Sequence, residues 1–151
     1  MPRSLRLLAP LLLLPAGCKP AADAQLSPVT RMEYWDQSNV AEQRQWMVRD
    51  EAGWAQARVR LGADSDGVTG RLAIDFRHEM VIVATAGRGS SAAPEIRLDG
   101  YRAAADTTFI HVSYILPCSA ADDITKAFVV GVLPRADGPV RIVRRRLAAA
   151  C

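Results

Sequence analysis

Residues 80–86, MVIVATA, are the stretch that most constrains the fold. They are apolar or β-branched throughout and carry no charge. The run is too short for a helix and rich in the residues that strands favour. It shows no alternation, so it predicts a strand covered on both faces, with protein packed above and below it. A second run, AFVVGVL at 127–133, has the same character and is stopped by Pro134.

The neighbouring segments supply the covering layers. Asp50 is a good N-cap and Gly62 sits where a glycine ends a helix. Between them Trp54, Ala57 and Leu61 recur at i, i+3 and i+7, which predicts a short amphipathic helix over Glu51–Leu61. The stretch 40–49 has strand-like residues at its end. Segment 62–70, GADSDGVTG, predicts a turn; Asp64, Asp66 and Gly67 lack the later ligands of a calcium loop. In EIRLDGY, Ile96 and Leu98 alternate with polar residues, predicting a half-exposed strand. Over 108–116, Ile110, Val112, Tyr114 and Leu116 take one face, while Phe109, His111, Ser113 and Ile115 take the other. Asp137-Gly138-Pro139 turns the chain into a last strand at 140–146. Trp54 is expected in the core and Trp35 at the surface. The sum is an α+β domain, mainly antiparallel sheet in a sandwich or open barrel-like arrangement, with one short N-terminal amphipathic helix.

The first residues have a different purpose. Arg3 and Arg6 precede a leucine-rich run at 7–14, about half of the ~20 residues needed to span a bilayer. This is the pattern of a signal-peptide h-region. Pro15-Ala16-Gly17-Cys18 resembles the lipobox of bacterial lipoproteins, with proline where leucine is usual; the rival pattern is cleavage after Ala22-Asp23-Ala24. Residues 1–17 are thus expected to be a lipoprotein signal peptide, 18–30 a lipidated Cys18 with a flexible tether, and 31–151 one globular domain. The lipoprotein resemblance implies acyl chains that anchor the protein stably in a membrane. Lys19 implies the outer membrane, facing the periplasm, where the source has two membranes. The formal charge is +3, of which Arg3 and Arg6 supply two, so the exported part is near neutral and nucleic acid is not an expected partner. Cys118 and Cys151 then remain in an oxidising compartment, and a bridge between them is expected to be worth roughly 3–4 kcal/mol.

Motifs of the kinds that carry chemistry are sparse. Ser90 and Ser91 follow Gly87, Arg88 and Gly89, but neither serine has glycine on both sides as a nucleophile elbow requires, and a strand follows rather than a helix. His78-Glu79 does not open an H-E-x-x-H motif, because Ile82 occupies the fifth position. No catalytic residue, metal or cofactor is expected. Arg88, Ser90 and Ser91 are instead expected to form a contact loop, with binding of a small anion or ligand by the 87–94 loop as the alternative. Arg141, Arg144, Arg145 and Arg146 suit either a contact with acidic groups or an edge strand that resists aggregation.

Several features recur in a fixed order: WMVRDEAGW, Ile74-Asp75-Phe76, the run 80–86, EIRL, HVSYILP and FVVGVLP. From residue 38 to 146 this order resembles the protease complex subunit PrcB family and its C-terminal-like domain. The resemblance implies a non-enzymatic exported domain, often a lipoprotein, that supports a cell-surface protease. Two departures matter. Relatives often carry Thr-Gly-Gly-Tyr where this chain has Ser90-Ser91-Ala92-Ala93, and Ala127 stands where proline is common. The expected function is an accessory, protein-binding lipoprotein of the cell envelope. The intact mass of the mature chain checks two of these expectations at once. It should begin at an acylated Cys18 and be lighter by the two hydrogens of a Cys118 to Cys151 bridge; an unmodified start at Gln25, or two free thiols, would refute the respective claim.

Overall fold

The computed structural model describes residues 25–36, 38–62, 72–87, 95–116 and 126–149. Its elements are β1 (Arg31–Trp35), β2 (Gln45–Val48), α1 (Glu51–Leu61), β3 (Glu79–Thr85), β4 (Glu95–Ala104), β5 (Thr107–Leu116), β6 (Phe128–Pro134) and β7 (Val140–Ala148). Cys18, Cys118, Cys151 and the turn with Asp64 and Asp66 lie outside the described residues.

The strands make two sheets, one ordered β1-β6-β3-β2 and the other β4-β5-β7. Three layers result, and β3 and β6 fill the middle one. On one face Val81, Val83, Val130 and Val132 pack beneath Trp54, Ala57 and Leu61 of α1. On the other, Met80, Ile82, Ala84, Val129 and Leu133 meet Ile96, Leu98, Ile110, Val112 and Tyr114 of the second sheet. Burying each large side chain contributes about 1.5–3 kcal/mol, and doing so on both faces is what the unbroken apolar runs required.

The helix forms where its signals place it. The Asp50 carboxylate accepts the Gly53 N–H at 2.7 Å, and Gly62 closes the last turn at φ 76°, a backbone conformation that glycine adopts without steric cost. The half-exposed β4 is also as expected, with Ile96 and Leu98 inward.

Three features differ from the sequence expectation. Two strands precede the helix, since Arg31–Trp35 adds to the edge of the first sheet through β6. The last strand extends to Ala148 and pairs with β5 in parallel, from Thr108↔Val140 to Leu116↔Ala148. Parallel pairing is possible because β6 lies in the other sheet and carries the chain back to the start of β5. Trp35 is not free at the surface: it is partly buried and stacks on Phe128 at 4.7 Å between ring centroids.

Gly131 lies where a side chain of the second sheet presses against the first. A Cβ there would collide with the Leu98 Cδ1 and come within 3.0 Å of Val29 and 3.1 Å of Ile82. Gly131→Val should therefore destabilise the domain by about 1–3 kcal/mol. Denaturant unfolding checks this: the midpoint should fall with little change in slope.

Candidate functional site

Both sheets bring loop junctions to one end of the molecule. β3 finishes at Thr85, paired with Phe128 at the start of β6, while Glu95 opens β4 opposite Ile115 near the end of β5. The 87–94 loop thus joins the two sheets at this end. Gly87, at φ 77°, is held against the backbone of residues 42–43, where a Cβ would lie 2.5 Å from the Gln43 nitrogen. Arg88, Ser90 and Ser91 themselves lie outside the described residues.

Beside this end runs β1, an edge strand paired with β6 alone among the described residues. Its alternation divides two sets of side chains. Arg31, Glu33 and Trp35 turn to the helix side, where Arg31 grips the Glu79 carboxylate with two bonds of 2.8 and 2.7 Å across the intervening strand. Met32 and Tyr34 turn to the opposite side and are 52% and 47% exposed. Burial first, and then the negative charges of Asp36 and Glu95, raise the Tyr34 phenol above its ordinary value. Tyr34 therefore stays an uncharged donor and acceptor beside the start of β4. The signal for this edge was present in the alternation of RMEYW but was hidden by its position ahead of the helix.

The histidines fall in different places. His78 occupies an exposed turn, where its Nδ1 meets Asp75 at 2.9 Å. That bond, followed by the Arg77 N–H donated to the same carboxylate, holds Asp75 below the ordinary carboxylate range. His111 lies on the face of β5 turned away from the core, with Ser113 two residues on, and the two are only 7% and 1% exposed. Asp99, at the β4 bulge, accepts from Ser113 Oγ at 2.5 Å and pairs with Arg97 at 2.7 Å. Serine, histidine and aspartate are thus neighbours, but the serine donates to the aspartate rather than to the histidine. A serine nucleophile needs the imidazole as its base, so this wiring is not that of a triad. Neither ring nitrogen of His111 has a partner among the described residues, and leaving one such buried atom unpaired costs on the order of 1–3 kcal/mol.

The arginines of β7 divide by strand alternation. Arg144 and Arg146 take the side of Val112 and Tyr114, and Arg146 reaches Gln43 at 3.4 Å. Arg141 and Arg145 take the side of Phe109, His111 and Ser113.

An open depression of about 880 Å³ lies at the start of α1, lined in part by Arg49, Asp50, Phe76 and Arg135. Two of its guanidinium groups, those of Arg49 and Arg135, are committed to the fold. Arg135 donates to the carbonyls of Phe76 and Arg49, and Arg49 to that of Gly138. No group of three or more His, Cys, Asp or Glu side chains is placed to hold a metal among the described residues.

His111 makes stability depend on pH. Burial foremost, then Arg145 and Arg102, hold its imidazole below the ordinary 6.5, against the opposing pull of Asp99. The unfolded chain therefore takes up this proton before the folded one does. Its contribution to stability is complete above pH 6.5 and is lost as pH falls toward the lower folded value. Denaturant midpoints between pH 7.5 and 5 should fall, and His111→Gln should remove that component of the slope.

The chain matches no protein-family model, no curated protein and no solved structure.

Proposed function

We propose that this chain is a lipid-anchored, non-enzymatic accessory domain of the cell envelope that acts by binding another protein. The supporting observation is the β1 edge. Its outer backbone groups have no strand partner among the described residues, and Met32 and Tyr34 stand exposed beside the end from which the 87–94 loop departs. An extended segment of a partner adds to such an edge by main-chain hydrogen bonds, while alternate side chains supply specificity. Edge strands that must stay alone are usually blunted by inward charge, proline or covering segments. Here Arg31 is instead engaged by Glu79, and the outward side chains are a methionine and a tyrosine. The resemblance to the PrcB family suggests an envelope protease as the partner class.

The β5–β7 ladder supports the proposed disulfide. Leu116 and Ala148 are register partners, and the Ala149 N–H donates to the Leu116 carbonyl at 3.0 Å. Cys118 and Cys151 each follow that bond by two residues in sequence. A bridge there would fasten the exposed edge strand β7 to β5.

Crosslinking in intact cells, followed by identification of the neighbour, tests the function. An envelope protease should be recovered with the wild-type chain and lost with Met32→Lys combined with Tyr34→Arg, two substitutions at exposed positions. Recovery that is unchanged in the double variant, or a wild-type chain with no protein neighbour, would overturn the assignment.

A further inference from the structure

The face of β4-β5-β7 turned away from the core has an unusual composition. Its rows follow from the register. Arg102 and Arg141 flank Phe109, Gly100 and Val143 flank His111, and Arg97 and Arg145 flank Ser113. Arginines therefore occupy the four diagonals around one imidazole. Among the described residues Asp99 and Glu95 oppose them: Asp99, at the β4 bulge, is already engaged by Arg97 and Ser113, and Glu95 acts on Arg97. The Arg102 guanidinium carbon lies over Phe109, 4.8 Å from the ring centroid, and neither Arg102 nor Arg141 nor Arg145 has a carboxylate partner among the described residues.

Such an arrangement is unfavourable without a ligand. Like charges converge on a sheet face, and a buried ring between them forgoes its hydrogen bonds. A tetrahedral oxyanion relieves both conditions. It would accept from the imidazole N–H and take charge-assisted bonds from the guanidinium groups, whose planar forks suit phosphate oxygens. We infer that this face binds a phosphate group, with His111, Arg102 and Arg145 as its principal ligands and Arg141 at its margin.

The surroundings fit this assignment. Gly100, beside His111, is approached by Leu26 and Ser27, and Ser27 exchanges two backbone hydrogen bonds with Tyr101 at 2.7 and 2.9 Å. The chain thus enters the domain next to this face. Phosphate from two sources is chemically equivalent here: a free phosphate or monoester, and the phosphodiester of a lipid headgroup close to the anchor. The site lies on the other sheet from the β1 edge, so it does not depend on a protein partner there.

Side-chain NMR of the His111 imidazole in the full mature chain tests the inference, with inorganic phosphate and glycerophosphoglycerol as separate probes. At least one should shift the His111 resonances saturably and raise the midpoint of its titration, because a bound anion favours the imidazolium against burial and the field of Arg145 and Arg102, adding to the pull of Asp99. The monoanionic diester acting as well as phosphate would identify a headgroup source, and phosphate alone a free one. Arg102→Gln and Arg145→Gln should each weaken binding roughly tenfold, whereas Arg77→Gln, in the distant exposed turn, should not. Absence of a saturable shift with both probes, or a shift that survives the Arg102→Gln/Arg145→Gln double variant, would overturn it.

Discussion

β3 and β6 are joined by seven register pairs from Glu79↔Pro134 to Thr85↔Phe128, and nearly every residue of both strands is buried. A backbone amide in such a dry layer has no water to fall back on, so each must find its partner in the adjoining strand. The ladder therefore fixes register as firmly as the side chains do. A one-residue slip would send Val81 and Val83 to the sheet side and Met80 and Ile82 to the helix side, undoing both cores together. The helix, the second sheet and the outer strands are all set by this pair.

That central constraint also decides what is left over for function. With one face of the first sheet given to α1 and the other to the second sheet, the surfaces that remain are edges, loop ends, the solvent side of α1 and the outer face of β4-β5-β7. The β1 edge and the outer face differ in kind. The first offers unpaired backbone with methionine and tyrosine beside it, suited to an extended protein segment. The second offers convergent arginines around a histidine, suited to an oxyanion. Their separation means that a partner and an anion could be held at the same time.

Much of the fold was legible because its signals are local. Asp50 and Gly62 cap the helix with their own side chain and backbone, and the bare apolar runs at 80–86 and 127–133 could only be buried strands. The alternation in EIRLDGY located a one-sided strand. β1 was less visible, since five residues with partial burial carry little pattern until β6 pairs with them. The candidate site was legible only as a list of residues. Sequence separates His111 from Arg102 and Arg145, and marks Ser113 as an ordinary strand serine. The described geometry draws function to β1 and to the outer face rather than to the 87–94 loop, whose Arg88, Ser90 and Ser91 lie outside the described residues.

By itself, the sequence determined the helix and its ends, the two-sided burial of the central strands and the inward side of β4. Those follow from side-chain periodicity and capping, which act over a few residues. Tertiary structure alone decided which strands are neighbours: β1 beside β6, and β7 parallel to β5. It thereby split the arginines of one basic strand between two faces and set two of them around His111. Strand pairing spans long separations in the chain, and its free energy depends on which edges remain open after the core has closed.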